Sequence, residues 1–196
     1  MKPHIFGIGT GKTGSNSLCI ALKRLGFNAY HCGHETYHGN DDIRKQVFSN
    51  FKDKCDPLRN IDGIDALMDH PVFKMFKDID ATVPNAKFIL TYRNPEECAL
   101  SWCRMISEQH ERNSPWVNTQ NRSYKNYIEM VRDHVDSVIE HFFGRPEQLL
   151  ILDIKDRDET KWKLLCNFLG KDLPEDMRYP RQFDHQKWQT KDTEEK

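Results

Sequence analysis

The stretch His4-Ile5-Phe6-Gly7-Ile8-Gly9-Thr10-Gly11-Lys12-Thr13-Gly14-Ser15-Asn16-Ser17-Leu18 decides the fold. Ile5, Phe6 and Ile8 make a short apolar strand, glycines crowd the turn that follows, and from about Gly14 a helical face carries Leu18, Ala21, Leu22 and Leu25. Glycines allow backbone N–H groups to point into one concavity, and the helix start adds the positive end of its dipole. Lys12 brings a full positive charge, while Thr13, Ser15, Asn16 and Ser17 bring short-range donors. Strand, loop and helix in this order form an anion cradle. The simpler reading, a turn that only caps a helix, leaves that convergence of donors unexplained.

The chain has 196 residues, enough for one well-buried core, and reads as a single domain over 1–189 with a polar, disordered tail over 190–196. Its formal net charge is -1, with charges of both signs spread along it, which argues against a nucleic-acid partner or an anionic membrane surface. No apolar run approaches the roughly 18 residues of a membrane helix, and the first strand begins within a few residues of Met1, so a soluble, cytoplasmic protein without a transmembrane segment is expected. Six cysteines lie mostly within apolar or helical patterns and read as reduced thiols. His31, Cys32, His34 and His38 crowd one loop, but their spacing matches no closed zinc pattern. No metal is expected, and that loop is placed at the mouth of the site.

Further strands are predicted over 28–32, 64–69, 86–92 and 149–154, the third central and the last buried. Helices are predicted over 41–51, 72–79, from Asn94-Pro95 through Ile106, over 123–143 and over 159–169. Leu100, Trp102, Cys103 and Ile106 are expected to face the core in the third of these, and Ile128, Val131, Val135, Val138, Ile139 and Phe142 in the fourth. Alternating strands and helices imply an α/β fold with a parallel sheet covered on both faces. The loops at the carboxyl ends of its strands would bring together the glycine-rich loop, the 31–38 loop, Asp69-His70 and Arg93.

Two readings of the cradle follow. In the first, Gly11-Lys12-Thr13 ends a nucleoside-triphosphate motif, with Thr13 as the magnesium-binding hydroxyl and Asp153, at the end of an apolar strand, as the associated acid. The reaction would be that of a kinase or NTPase using ATP and magnesium. The spacing objects, because the motif needs a glycine where Phe6 stands.

The second reading starts from Lys12-Thr13-Gly14-Ser15-Asn16-Ser17-Leu18, which resembles the sulfotransferase loop for the 5′-phosphosulfate of 3′-phosphoadenosine-5′-phosphosulfate (PAPS); Asn16 replaces a usual hydroxyl. Thr91-Tyr92-Arg93-Asn94-Pro95-Glu96-Glu97-Cys98-Ala99-Leu100-Ser101 resembles the family's second motif, an Arg ending a strand and a Ser eight residues later, which hold the 3′-phosphate. A guanidinium grips a phosphate in a bidentate way and Ser101, about two turns along, adds a neutral donor. Asp69-His70-Pro71, 84–95 and 149–174 extend the resemblance to small P-loop sulfotransferase-like proteins over most of the chain.

The resemblance implies a P-loop-type parallel sheet and in-line, metal-independent transfer of a sulfuryl group from PAPS to a hydroxyl or amine, leaving 3′-phosphoadenosine 5′-phosphate (PAP). Lys12 would stabilise the leaving phosphate, with Thr13, Gly14, Ser15, Asn16 and Ser17 at the 5′ end and Arg93 with Ser101 at the 3′ end. The family's base is a His in the loop after the strand preceding the Arg-bearing one. Asp69 and His70 stand there, either is a candidate, and His31 and His34 are reserves; Asp69 also suits a helix cap. Arg178 and Arg181 are candidates for the 3′-phosphate end, and Trp102 and Trp116 for adenine stacking. The acceptor is read as a small molecule or glycan. A protein that binds PAP or PAPS without catalysis is the remaining alternative.

Overall fold

The computed structural model describes residues 4–33, 41–111 and 123–181. Its five strands are β1 (Ile5–Gly7), β2 (Ala29–His31), β3 (Ala66–Met68), β4 (Lys87–Tyr92) and β5 (Leu149–Asp153). They form one parallel sheet in the order β2-β3-β1-β4-β5. The helices are α1 (Ser15–Arg24), α2 (Asp41–Lys52), α3 (Phe76–Thr82), α4 (Pro95–Glu111), α5 (Tyr124–His141) and α6 (Asp158–Leu169). The expected tail over 190–196, His34, His38 and Trp116 lie outside the described residues.

Alternation along the strands divides the core between the two faces of the sheet. Phe6, Leu67, Phe88 and Leu90 pack with Val47 of α2, Phe76 and Ile79 of α3, Val138 of α5 and Phe142 just after it. The rings of Phe88 and Phe142 lie 4.6 Å apart. On the other face Ile5, Ala66, Met68, Ile89 and Leu152 pack with Leu18 and Leu22 of α1 and with Trp162 and Leu165 of α6. Helices thus cover both faces of this single α/β domain. Cys98 and Ala99 of α4 meet Tyr127 and Val131 of α5 in a smaller cluster.

Local chemistry sets the helix ends. Asn94 Oδ1 accepts the Glu97 N–H at 3.1 Å, and Ser123 Oγ accepts that of Asn126 at 3.2 Å, so both helices start on a side-chain cap. Gly170, at φ 62°, ends α6 in the left-handed region.

Several expectations are corrected. The helix predicted over 72–79 is a 3-10 turn (Val72–Lys74) followed by α3, because Met75 N–H bonds to the Val72 carbonyl before the α pattern begins. β4 is interior, but β1 holds the middle of the sheet. β5 is an edge strand rather than a buried one: among the described residues it pairs only with β4, and Ile151 is 44% exposed. An apolar run alone does not reveal that a strand lacks a neighbour. Leu100 and Ile139 face solvent, whereas Ala99 and Tyr127, not among the expected inward residues, are buried along with Cys98, Val131 and Val138. No helix among the described residues is long and apolar enough to cross a membrane.

Candidate functional site

Parallel strands bring their carboxyl ends to one edge, where the residues that follow β1, β2, β3, β4 and β5 begin their loops. The glycine-rich loop passes so close to the end of β4 that a Cβ on Gly9 would lie 2.0 Å from Thr91 Oγ1 and 2.6 Å from the Thr91 carbonyl oxygen. Only glycine fits there. Thr13 Oγ1 donates to the Thr10 carbonyl at 2.6 Å and lies 2.8 Å from Thr91 Oγ1, which therefore donates to it. Thr13, 2% exposed, is a brace inside the loop; its hydroxyl is turned away from the cradle.

Other carbonyls of the loop are also engaged by the protein. Tyr127 OH donates to the Gly11 carbonyl at 2.8 Å, and Trp102 stacks on Tyr127 with centroids 4.9 Å apart. Burial lowers the His134 pKa, and the neutral ring bonds through Nε2 to the Ile8 carbonyl at 2.7 Å. Arg93 Nη1 donates to the Lys12 carbonyl at 3.4 Å. With the carbonyls of Ile8, Thr10, Gly11 and Lys12 held this way, the oxygens that would repel an anion are taken up. Gly14, at φ 95°, caps α1 without a side-chain hydrogen bond, and no acidic residue occupies the first turn. The first N–H groups of α1 thus meet neither a capping side chain nor a carboxylate of their own turn.

Two cations flank this loop. Lys12 has a left-handed backbone, φ 70°, and its Nζ lies 3.7 Å from Met105 Sδ. Burial lowers its pKa, Glu108 opposes that, and Arg93 adds to it. Arg93 reaches Glu97 at 3.4 Å through Nε, and Glu97 also holds Lys155 at 2.6 Å. The helix-start ion pair is therefore present, alongside the contact of Arg93 with the loop. Ser101, 8% exposed, follows two turns along α4. Lys155 escaped the sequence reading; its signal is its place after β5, next to β4 in the sheet. Asp153 Oδ1 accepts the Lys155 N–H at 2.8 Å and so closes its own turn.

The base candidates separate. His70 packs among Phe48, Phe51 and Phe73 at centroid distances of 5.4, 6.4 and 5.8 Å. Asp69, at φ 74°, turns instead toward His31, with Oδ2 3.4 Å from Nε2, and Ser15 Oγ lies 2.9 Å from the same nitrogen. Asp69 and Lys12 are charged residues held in the left-handed region, a backbone cost that recurs at functional sites. Arg181 reaches Asp158 at the start of α6, on the cradle side. Arg178 pairs with Asp176, and its carbonyl accepts from Arg24 at the far end of α1, away from the glycine-rich loop. No group of three His, Cys, Asp or Glu that could hold a metal ion occurs among the described residues.

A family model described as a sulfotransferase domain matches residues 4–125 and 113–188. The chain belongs to this sulfotransferase family. Two solved sulfotransferase domains share the fold of this family member. The sulfotransferase domain from the Synechococcus PCC 7002 olefin synthase is 14% identical with a TM-score of 0.54, over 93% of this chain and 78% of that one. The sulfotransferase domain from the curacin biosynthetic pathway is 17% identical with a TM-score of 0.52, over 94% and 79%. The sulfotransferase from Alicyclobacillus acidocaldarius is 19% identical over 97% and 91%, with a TM-score of 0.49. Comparison with curated proteins returns no match.

Proposed function

We propose that this sulfotransferase-family protein takes PAPS as donor and moves its sulfuryl group, in line and without a metal, to a hydroxyl or amine of a small-molecule or glycan acceptor. The observation that carries this reading is the bond from Arg93 Nη1 to the Lys12 carbonyl at 3.4 Å, which joins two cation-bearing motifs 81 residues apart. Two cations at two places suit an anion with two charged ends.

The residues fit the donor. The loop's carbonyls are engaged, α1 starts without a side-chain cap, and the buried Thr10 hydroxyl in the same loop has no partner in the described structure. Lys12, Gly14, Ser15, Asn16 and Ser17 would hold the 5′ end, and Arg93 with Ser101 the 3′-phosphate. PAPS supplies an activated sulfuryl group on a phosphate leaving group. A negative charge beside Lys12 would offset the burial that disfavours its ammonium. Asp69 is the better placed proton acceptor, since it faces the loop while the His70 ring is packed among phenylalanines.

The magnesium-nucleotide reading is disfavoured by the same geometry. It needs the Thr13 hydroxyl and Asp153 as metal-associated groups, yet the first is buried against Thr10 and Thr91 and the second bonds within its own turn.

Thermal melting tests the proposal. With EDTA present, PAP at about 100 times its Kd stabilises the fold by about 2.7 kcal/mol, roughly 5–10 °C, and Lys12→Ala or Arg93→Ala removes most of the shift. Stabilisation by ATP with magnesium but not by PAP would overturn it. A PAP-stabilised protein that sulfates nothing in a broad panel of alcohols, amines and glycans would be a binding protein only.

A further inference from the structure

Ser15, His31 and Asp69 come from three separate segments and meet at one imidazole. His31 ends β2 and is 3% exposed. Its Nε2 lies 2.9 Å from Ser15 Oγ and 3.4 Å from Asp69 Oδ2, while its Nδ1 accepts the Gly33 N–H at 3.1 Å. A serine, a histidine and an aspartate in contact suggest an activated nucleophile, but that chemistry needs the acid on the nitrogen opposite the serine. Here serine and acid share one nitrogen, and a backbone N–H holds the other.

The arrangement dictates a tautomer. A nitrogen that accepts an N–H carries its lone pair there, so the single proton of a neutral imidazole must sit on Nε2. Burial lowers the His31 pKa and keeps the ring neutral, although Asp69 opposes this. The Asp69 carboxylate near Nε2 favours a proton on that atom. Gly33 is tailored to the contact: a Cβ there would lie 2.8 Å from His31 Nδ1 and 2.7 Å from Asp69 Oδ2.

This has a consequence for Ser15, the first residue of α1. A serine hydroxyl has one proton to give. If Nε2–H donates to Ser15 Oγ, the serine proton is directed away from His31 and is available as a donor elsewhere. We infer that His31 is a positioning residue, which by donating from Nε2 fixes the Ser15 hydroxyl as a donor to the anion in the cradle, with Gly33 and Asp69 setting its tautomer. The inference rests on the loop being an anion cradle and makes no demand on the acceptor.

Side-chain nitrogen NMR reads the tautomer directly: at pH 7.5 Nε2 is protonated and Nδ1 is not. A proton on Nδ1 overturns the inference. Affinity for inorganic pyrophosphate and for PAP then reads the consequence. The amide nitrogen of His31→Gln reaches the Nε2 position and keeps affinity within about threefold, whereas His31→Asn reaches only the Nδ1 position and loses about tenfold or more, the size expected for one hydrogen bond to a charged group. Ser15→Ala loses as much, and adding His31→Asn to it costs nothing further. A purely structural histidine would give losses that multiply and no rescue by Gln, in variants whose circular dichroism is that of the folded protein, and that pattern overturns the inference. The two probes separate the claims. Pyrophosphate binding with this pattern but no PAP binding sinks the cofactor reading alone, whereas tight PAP binding by His31→Asn sinks the positioning role alone.

Discussion

Arg93 Nη1 donates to the carbonyl of Lys12 at 3.4 Å, tying the end of β4 to the loop after β1. One planar guanidinium spans this carbonyl and, through Nε, the Glu97 carboxylate. Lysine keeps the charge but presents no fork. Arg93→Lys is therefore expected to weaken PAP by about tenfold and to loosen the loop as well, whereas an exchange of simple point charges would leave affinity unchanged. Titration calorimetry checks this.

Glu97 competes for the same arginine. Its carboxylate is bound by Lys155 at 2.6 Å and by Arg93 at 3.4 Å, and these partners, Lys155 first, hold its pKa below the usual carboxylate value. All three groups are partly exposed, so the pairs contribute little to stability. Glu97→Gln frees positive charge at the site and should tighten PAP by about two- to tenfold at low salt, with the gain shrinking as salt rises. Weaker binding would mean that Glu97 orients Arg93 instead of competing for it.

The loop is braced by Thr13 and Thr91. Thr13→Val keeps the shape but strands the Thr10 carbonyl, at a cost of about 1–3 kcal/mol in urea unfolding. Thr91→Val should be less than additive with it, because both remove the 2.8 Å contact between the hydroxyls. Gly9→Ala is expected to cost about 3 kcal/mol, since backbone and not only a flexible side chain stands in the way. Additive threonine costs, or a neutral Gly9→Ala, would contradict this packing.

Acid should destabilise the fold in a defined window. Burial lowers the pKa of both His31 and His134. An unfolded histidine takes up its proton near pH 6.5, so below that the unfolded chain binds more protons than the folded one and stability falls until the lower folded values are reached. The melting temperature should therefore drop between pH 7 and 5.5. His134→Gln can still donate to the Ile8 carbonyl, and should flatten the slope by up to about 1.4 kcal/mol per pH unit. A melting temperature that rises over this range would contradict the burial of these rings.

Much of this site is written locally. The strand-loop-helix of 4–18 shows its glycines and donors within one window, and Arg93 at a strand end with Ser101 on the following helix shows its spacing within another. What is missing from such windows is which distant groups hold the loop. Tyr127 and His134 sit within an ordinary amphipathic helix, 116 and 126 residues from the carbonyls they bind. Thr13 reads as an anion donor from its local chemistry, whereas its hydroxyl donates to the Thr10 carbonyl and accepts from Thr91, 78 residues away. His70 stands in the expected place for a base, but side-chain direction depends on the backbone: Asp69, in the left-handed region, faces His31 and leaves His70 among phenylalanines. Spacing locates residues on a chain, and only packing decides where they point.

On the proposed reading, one cradle holds a donor with two charged ends, Lys12 at the 5′ side and Arg93 at the 3′ side. Affinities of PAP and of adenosine 5′-monophosphate, which lacks the 3′-phosphate, test it most directly when measured for the wild type, Lys12→Ala and Arg93→Ala. The wild type should prefer PAP by at least about tenfold, Arg93→Ala should bind the two nucleotides alike, and Lys12→Ala should weaken both while keeping the preference. A wild type without preference, or an Arg93→Ala variant that retains it, would contradict the account.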